Sequence, residues 1–242
     1  MSRAPKSRKA FKISDSLNRR LNTYAQVASA AGVSVLALAG ASEAKVIYTQ
    51  THQVTHTGFP LYIDLNHDGI KDFIVRTSFY QGSSGLEVGL SAAGYRNADN
   101  RVAGGRFSTG SGYFVSAAYA LPAGARIGPK ANFSVPFPFM AVELFEGPGS
   151  TYSDLGAWVG EGNGVRDRYL GFKFVILGEV HYGWARFSVT LGHERQFDDV
   201  SGTLTGYAYE TVPGKPVIAG QTSGPDVVTV PETLGGLALG RR

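Results

Sequence analysis

Apolar and polar positions alternate most regularly toward the C-terminal end of the chain. Leu170, Phe172, Phe174 and Ile176 take every second position, with Tyr169 and Lys173 at the opposite parity. A period of two puts such residues on one face of a strand. The pattern resumes in Ala185, Phe187 and Val189, with Tyr182, Trp184 and Arg186 on the opposite face. Gly178-Glu179 stands between the two runs, and a two-residue loop with Gly first suits a type II′ turn. The spacing therefore predicts a hairpin over 169–177 and 180–190, with Phe172, Phe174, Ile176, Phe187 and Val189 in a core. Gly183, between two aromatics, marks a bulge or a close backbone approach.

Shorter runs between turn residues predict further strands at 45–50, 59–64, 72–80, 86–90, 112–119, 138–145 and 202–211. The last of these sets Tyr207 and Tyr209 on one face. Beyond residue 44 no ten-residue amphipathic helix competes. Many short strands separated by turn signals indicate an all-β fold, here an antiparallel β-sandwich, jelly-roll-like, spanning 45–219. Residues 81–111 and 146–168 are rich in small and polar residues and read as long loops. Residues 220–242 read as a flexible tail.

The first 44 residues follow a different pattern. Basic residues crowd positions 3–20, an apolar run of 14 residues spans Val27 to Gly40, and Ser42-Glu43-Ala44 supplies small residues before Lys45. That order describes a secretory signal, a signal helix preceding the sandwich. The run is shorter than the ~20 residues of a membrane-spanning helix. A leader that is never cut, acting as an anchor, is the alternative and the one route by which the chain would meet a membrane. The leader also carries the excess basic charge. Of 23 basic and 19 acidic residues, seven and two lie within 1–44, leaving 16 and 17 and a net charge of −1. A basic surface for nucleic acid is thus not expected of the exported portion. With no cysteine, disulfides and thiolate metal sites are excluded.

The densest chemistry lies at 64–72. Asp64-Leu-Asn66-His-Asp68-Gly69-Ile70-Lys-Asp72 places oxygen side chains at positions 1, 3, 5 and 9, with Gly69 at the sharp turn and the Ile70 carbonyl at position 7. Ca²⁺ takes six to eight oxygens at roughly 2.3–2.6 Å, and alternate carboxylates in a tight loop supply them. The loop departs from an EF-hand, because Val75 stands where a bidentate Glu is required and the flanks read as strands. It resembles the strand-flanked turn of FG-GAP-like extracellular repeats, and this resemblance implies a structural Ca²⁺. The competing reading is an Asx-rich turn held by its own side chains.

Other chemistry is sparse. His52 and His56 share a strand face about 13 Å apart, too far to hold one metal. Glu143 with Glu146, and Asp198 with Asp199, are the acid pairs a glycoside hydrolase would need to bring about 5–10 Å apart. Trp158, Tyr182, Trp184, Tyr207 and Tyr209 offer a platform for stacking sugar rings, whereas core packing explains the same residues without a ligand.

Three segments carry a wider likeness: Lys45-Val-Ile-Tyr-Thr49, then His181-Tyr-Gly-Trp-Ala-Arg-Phe-Ser-Val189 leading to Gly206-Tyr-Ala-Tyr-Glu210, and the end Pro231-Glu-Thr-Leu-Gly-Gly-Leu-Ala-Leu-Gly-Arg-Arg242. Together with the leader they resemble exported bacterial proteins of the PEP-CTERM-like sorted group. Thr233 stands where that sorting motif has its second Pro, and the apolar stretch Leu234–Leu239 is six residues long. The resemblance implies an exported protein of unassigned activity. The sparse chemistry makes the expected reading a non-enzymatic protein of the envelope or extracellular space, with envelope components or extracellular polysaccharide as partners. A carbohydrate-binding module and a secreted glycoside hydrolase are the rival readings.

Overall fold

The computed structural model describes residues 45–82, 85–108, 114–145, 152–192 and 200–231. The leader at 1–44, the end of the tail at 232–242, and Glu146, His193, Asp198 and Asp199 lie outside them. The described residues form strands and connecting turns only. In chain order these are β1 (Val46–Thr55), β2 (Leu61–Ile63), β3 (Phe73–Gly82), β4 (Gly85–Gly94), β5 (Arg101–Val102), β6 (Gly104–Ser108), β7 (Phe114–Ala118) and β8 (Arg126–Ile127). They continue with β9 (Phe139–Phe145), β10 (Tyr152–Leu155), β11 (Gly164–Ile176), β12 (Glu179–Leu191), β13 (Val200–Glu210), β14 (Val217–Ile218) and β15 (Val227–Pro231).

Two sheets dominate. The first runs β15-β1-β13-β12-β11-β5; the second runs β2-β3-β4-β9-β7-β6, with β10 added beside β9. Their inner faces share one apolar core, in which Phe73 of β3 stacks on Phe172 of β11 at a ring separation of 4.1 Å. The architecture is sandwich-like, as the alternation predicts. Most pairs are antiparallel, but β15 joins β1 and β7 meets β9 in parallel. Many neighbours are consecutive hairpin partners (β2-β3-β4, β6-β7, β9-β10, β11-β12-β13), where a jelly roll alternates strands distant in sequence. Two-residue and other tight turns make local pairing the cheaper closure.

The hairpin expectation holds with a shift of one residue. Ile176 pairs with Glu179, so the loop is Leu177-Gly178, with φ of 51° and 87°. Two positive φ values define a type I′ turn, whose twist matches the flanking strands. The inward faces are as predicted: Leu170, Phe172, Phe174, Ala185, Phe187 and Val189 are all buried in the shared core. A Cβ on Gly183 would stand 2.7 Å from the Ala208 carbonyl, so this glycine permits a close strand approach.

Burial along the first sheet reveals a third layer. In β13 buried and half-buried residues alternate from Val200 to Thr205, and every residue from Gly206 to Glu210 is buried. In β12, Tyr182–Ala185 are likewise buried without a break. Strands read as continuous runs only where both faces are covered. The cover is the short pair β8–β14, which packs Ile127, Val217 and Ala219 against Val46, Tyr48, Tyr169, Tyr182 and Trp184. It is tied to β11 by reciprocal bonds of 2.9 Å between Leu121 and Tyr169, and its two halves are joined by Ala219 N–H to the Ala125 carbonyl at 2.9 Å.

Several stretches read as loops are strands. β5 and β6 fall within 81–111, while β10 and the start of β11 fall within 146–168. The ordered chain also runs past 219, since β14 leads on to β15 within the span expected as flexible tail. Short, Gly-containing strands at sheet margins lack the alternation that sequence patterns detect. Among the described residues no helix is long and apolar enough to cross a membrane.

Candidate functional site

The turn at 64–72 is closed at its mouth by the Ile63–Phe73 pair of β2 and β3 and by Asp72 N–H donating to the Ile63 carbonyl at 2.8 Å. Inside it the side chains fold back on the loop. Asp64 Oδ2 accepts from Gly69 N–H at 2.9 Å, Asp68 Oδ1 from Ile70 N–H at 2.8 Å, and Asp72 Oδ2 from Leu65 N–H at 2.8 Å. Asn66 Nδ2 donates to Asp68 Oδ2 at 3.0 Å. Gly69 has φ 87° and His67 has φ 61°, so the loop needs the left-handed region twice. The Ile70 side chain is solvent-exposed.

Two loop residues anchor the turn to the first sheet. Leu65 is buried in the shared core, close to the space left by Gly183. His67 Nε2 lies 2.7 Å from Thr49 Oγ1, and its ring stacks on Tyr207 at 5.7 Å. A further brace was not legible in the sequence. Asn100, buried in a stretch read as loop, donates to the Asp72 carbonyl at 3.2 Å and accepts from Val175 N–H at 3.1 Å. It thereby links the end of the turn to β11.

The electrostatics are those of crowded acids. Burial raises the Asp64 carboxyl above the ordinary range, and Asp68 adds to the rise against the bond from Gly69. Burial pushes Asp72 up to about 7, with repulsion from Asp64 and Asp68 in support. The Tyr209 phenol is also raised, first by burial and then by Asp64, Asp68 and Asp72. Asp64 Oδ1 is buried with no hydrogen-bond partner. A buried acceptor left unpaired costs about 1–3 kcal/mol. Among the described residues no three His, Cys, Asp or Glu side chains converge as a metal-binding group in the arrangement seen. In kind the donors suit a hard cation: carboxylate and amide oxygens of Asp64, Asn66, Asp68 and Asp72, with the backbone of Ile70 at the exposed lip.

The aromatic residues expected as a platform do not form one. Trp158, Tyr182, Trp184, Tyr207 and Tyr209 are all buried, and they divide between two faces. Trp158, Tyr207 and Tyr209 belong to the core between the sheets, whereas Tyr182 and Trp184 lie under the β8–β14 cover. Trp184 packs against Tyr48 and Tyr169 at ring separations of 5.8 and 5.2 Å, and Tyr182 against Phe133 at 6.0 Å. Opposite directions for 184 and 209 follow from the register, which pairs Trp184 with Ala208 and Gly183 with Tyr209. The cover is built from β8 and β14, two residues each, which leave no periodic trace in the sequence.

Of the acids considered for hydrolysis, Glu143 is buried in β9 opposite Asp154 of β10. The exposed His52 and half-buried His56 occur in β1 and the turn after it, with His56 against the Phe59 ring at 4.5 Å. Comparison with family models, with curated proteins and with solved structures finds no match.

Proposed function

We propose that this chain is an exported, non-enzymatic β-sandwich protein of the envelope or extracellular space, whose turn at 64–72 holds one structural Ca²⁺. The observation that carries the calcium reading is the unpartnered, buried Asp64 Oδ1 in a turn where burial, and then the neighbouring acids, raise the carboxyls of Asp64 and Asp72. Asp64, Asn66, Asp68, Asp72 and the Ile70 carbonyl would hold the ion. A bound Ca²⁺ would add positive charge beyond what Lys71 and His67 lend to Asp64. The chain's own part is to fix the loop: Gly69 turns it, Leu65 and His67 pin it to the first sheet, and Asn100 ties Asp72 to β11.

Export rests on the order of basic, apolar and small-residue regions in 1–44 and on the slightly acidic remainder. The two parts support each other. Extracellular calcium modules bind at about 10⁻⁴–10⁻³ M, so a site of that strength would fill after export. The test is thermal melting of the protein from Lys45 onward, with excess calcium and with chelator, alongside elemental analysis. A melting temperature raised by calcium and restored by chelator supports the reading. An identical melt in both conditions with no calcium bound leaves the turn as a self-held Asx structure.

A further inference from the structure

The outer face of the second sheet bears a groove that the calcium turn does not use. Ile74, Arg76 and Ser78 of β3 point outward, in alternation with core-facing Phe73, Val75 and Thr77, and Ser91 lies beside them on β4. Phe137 and Phe139 complete the lining. The groove encloses about 150 Å³, roughly half the lower bound for a drug-sized pocket. It therefore fits one ring of a longer chain better than a whole cofactor.

Its features are specific. Phe137 is 63% exposed, a large apolar surface left in water. It stands between Pro136 and Pro138, and the Pro138 carbonyl accepts from Ala92 N–H at 3.2 Å. Proline fixes its own φ and restricts the residue before it. The phenyl is thus presented on stiff backbone and loses little freedom when it docks. Phe139 extends over Gly89, where an added Cβ would stand 3.3 Å from the ring. Arg76 is the charged residue of the lining, and it makes no ion pair among the described residues. Glu87, on the same face, pairs with Tyr80 four positions along β3 from Arg76.

We propose that this groove binds an acidic polysaccharide, one uronate ring at a time. The weakly positive C–H face of a pyranose suits the negative face of a phenyl ring. A sugar carboxylate suits the planar fork of an unpaired guanidinium. The Ser78 and Ser91 hydroxyls can donate to or accept from ring hydroxyls. A purely apolar partner would leave Arg76 buried without a counter-charge, which is why an anionic glycan is favoured over an apolar protein surface. The inference stands on the second sheet alone and goes beyond the calcium reading.

The experiment is titration of the Lys45-onward protein with oligogalacturonate, at one fixed calcium concentration, followed by backbone NMR. Neutral dextran and dextran sulfate are the comparison probes. Oligogalacturonate should shift the amides of β3, β4 and 137–139. Arg76→Gln and Phe137→Ala should each weaken binding at least tenfold, while Leu177→Ala, a fully exposed change in the β11–β12 turn, should leave it unchanged. Equal weakening by all three variants, equal binding of neutral dextran or of dextran sulfate, or no binding at all would overturn the proposal. So would a wild-type dimer that becomes monomeric in Phe137→Ala, since the face would then meet a second copy. Because oligouronates themselves bind calcium, the free ion is buffered at one concentration throughout, and failure here is then distinguishable from failure of the calcium turn.

Discussion

Trp184 of β12 and Phe137, in the bend just before β9, both lie outside the core between the sheets, and only the first is covered. Over Trp184 lie Ile127, Val217 and Ala219 of the small β8–β14 layer, and its exposure falls to 1%. Over Phe137 nothing among the described residues is packed, and 63% of it is in solvent. The sequence around each is equally aromatic. What separates them is whether a distant segment returns to cover the face. An aromatic residue outside the central core therefore reports a packed or a binding face only once the third layer is known.

The sharpest way to break this comparison is to truncate the covered side. Trp184→Ala and Phe174→Ala should each destabilise by about 3–5 kcal/mol, because both empty a closed, fully buried site. Phe174 lies between the sheets and Trp184 outside them, so similar losses would show that the first sheet is packed on both faces. Chemical denaturation of the two variants measures this. A mild Trp184→Ala would mean that the β8–β14 cover is loose and that the two outer faces differ less than their burial indicates.

Calcium removal probes the seam where the turn meets the first sheet. At a hundredfold excess over its dissociation constant, a bound ion stabilises by about 2.7 kcal/mol. For a domain of this size that corresponds to roughly 5–10 °C in melting temperature. Asp64→Asn should abolish the calcium-dependent part of the shift. A variant that still responds to calcium by the full amount would place the ion elsewhere.

A smaller effect tests the acids themselves. In the metal-free protein Asp72 has its folded-state pKa raised to about 7, and Asp64 is raised as well, in both cases chiefly by burial. A carboxyl raised on folding prefers the protonated, folded state. Its contribution is fully present below the unfolded pKa near 4 and is lost as pH rises through about 7. The metal-free protein should therefore melt lower at pH 8 than at pH 5. With calcium the charged carboxylates are favoured and this trend should flatten or reverse. Melts at the two pH values, with and without calcium, decide it; Asp72→Asn should remove most of the metal-free slope.

How much was legible follows from which signals are local. The inward face of the C-terminal hairpin was readable because Phe172, Phe174, Phe187 and Val189 obey a period of two. The turn at 64–72 was readable because its oxygens alternate within nine residues. The turn type was misplaced by one residue, since Gly178 serves as well in the second position of a type I′ loop as in the first of a type II′. The cover over Tyr182 and Trp184 was not readable, because 126–127 and 217–218 are too short to show periodicity and meet only in three dimensions. Asn100 was missed for the same reason: its partners, Asp72 and Val175, are 28 and 75 residues away. Val227–Pro231 was hidden by a tail composition, although pairing with β1 orders it.

The smallest expected change is on the open side. Phe137→Ala should alter stability by no more than about 0.5 kcal/mol, as exposed substitutions usually do. Its neighbours are held independently of its ring: Val135 is buried, and Pro138 is bonded to Ala92 through its backbone. Removing the phenyl therefore takes away exposed apolar area and leaves no cavity. That near-neutrality gives the variant its use, because a lost ligand can then be read as a lost contact, not as unfolding. It also completes the contrast with Trp184. Two outward aromatics on opposite sides of the sandwich should differ several-fold in their cost to stability, and the cheap one should carry whatever binding the protein has. If Phe137→Ala instead costs as much as Trp184→Ala in chemical denaturation, the second sheet is covered in solution, and the groove at Arg76 belongs to packing.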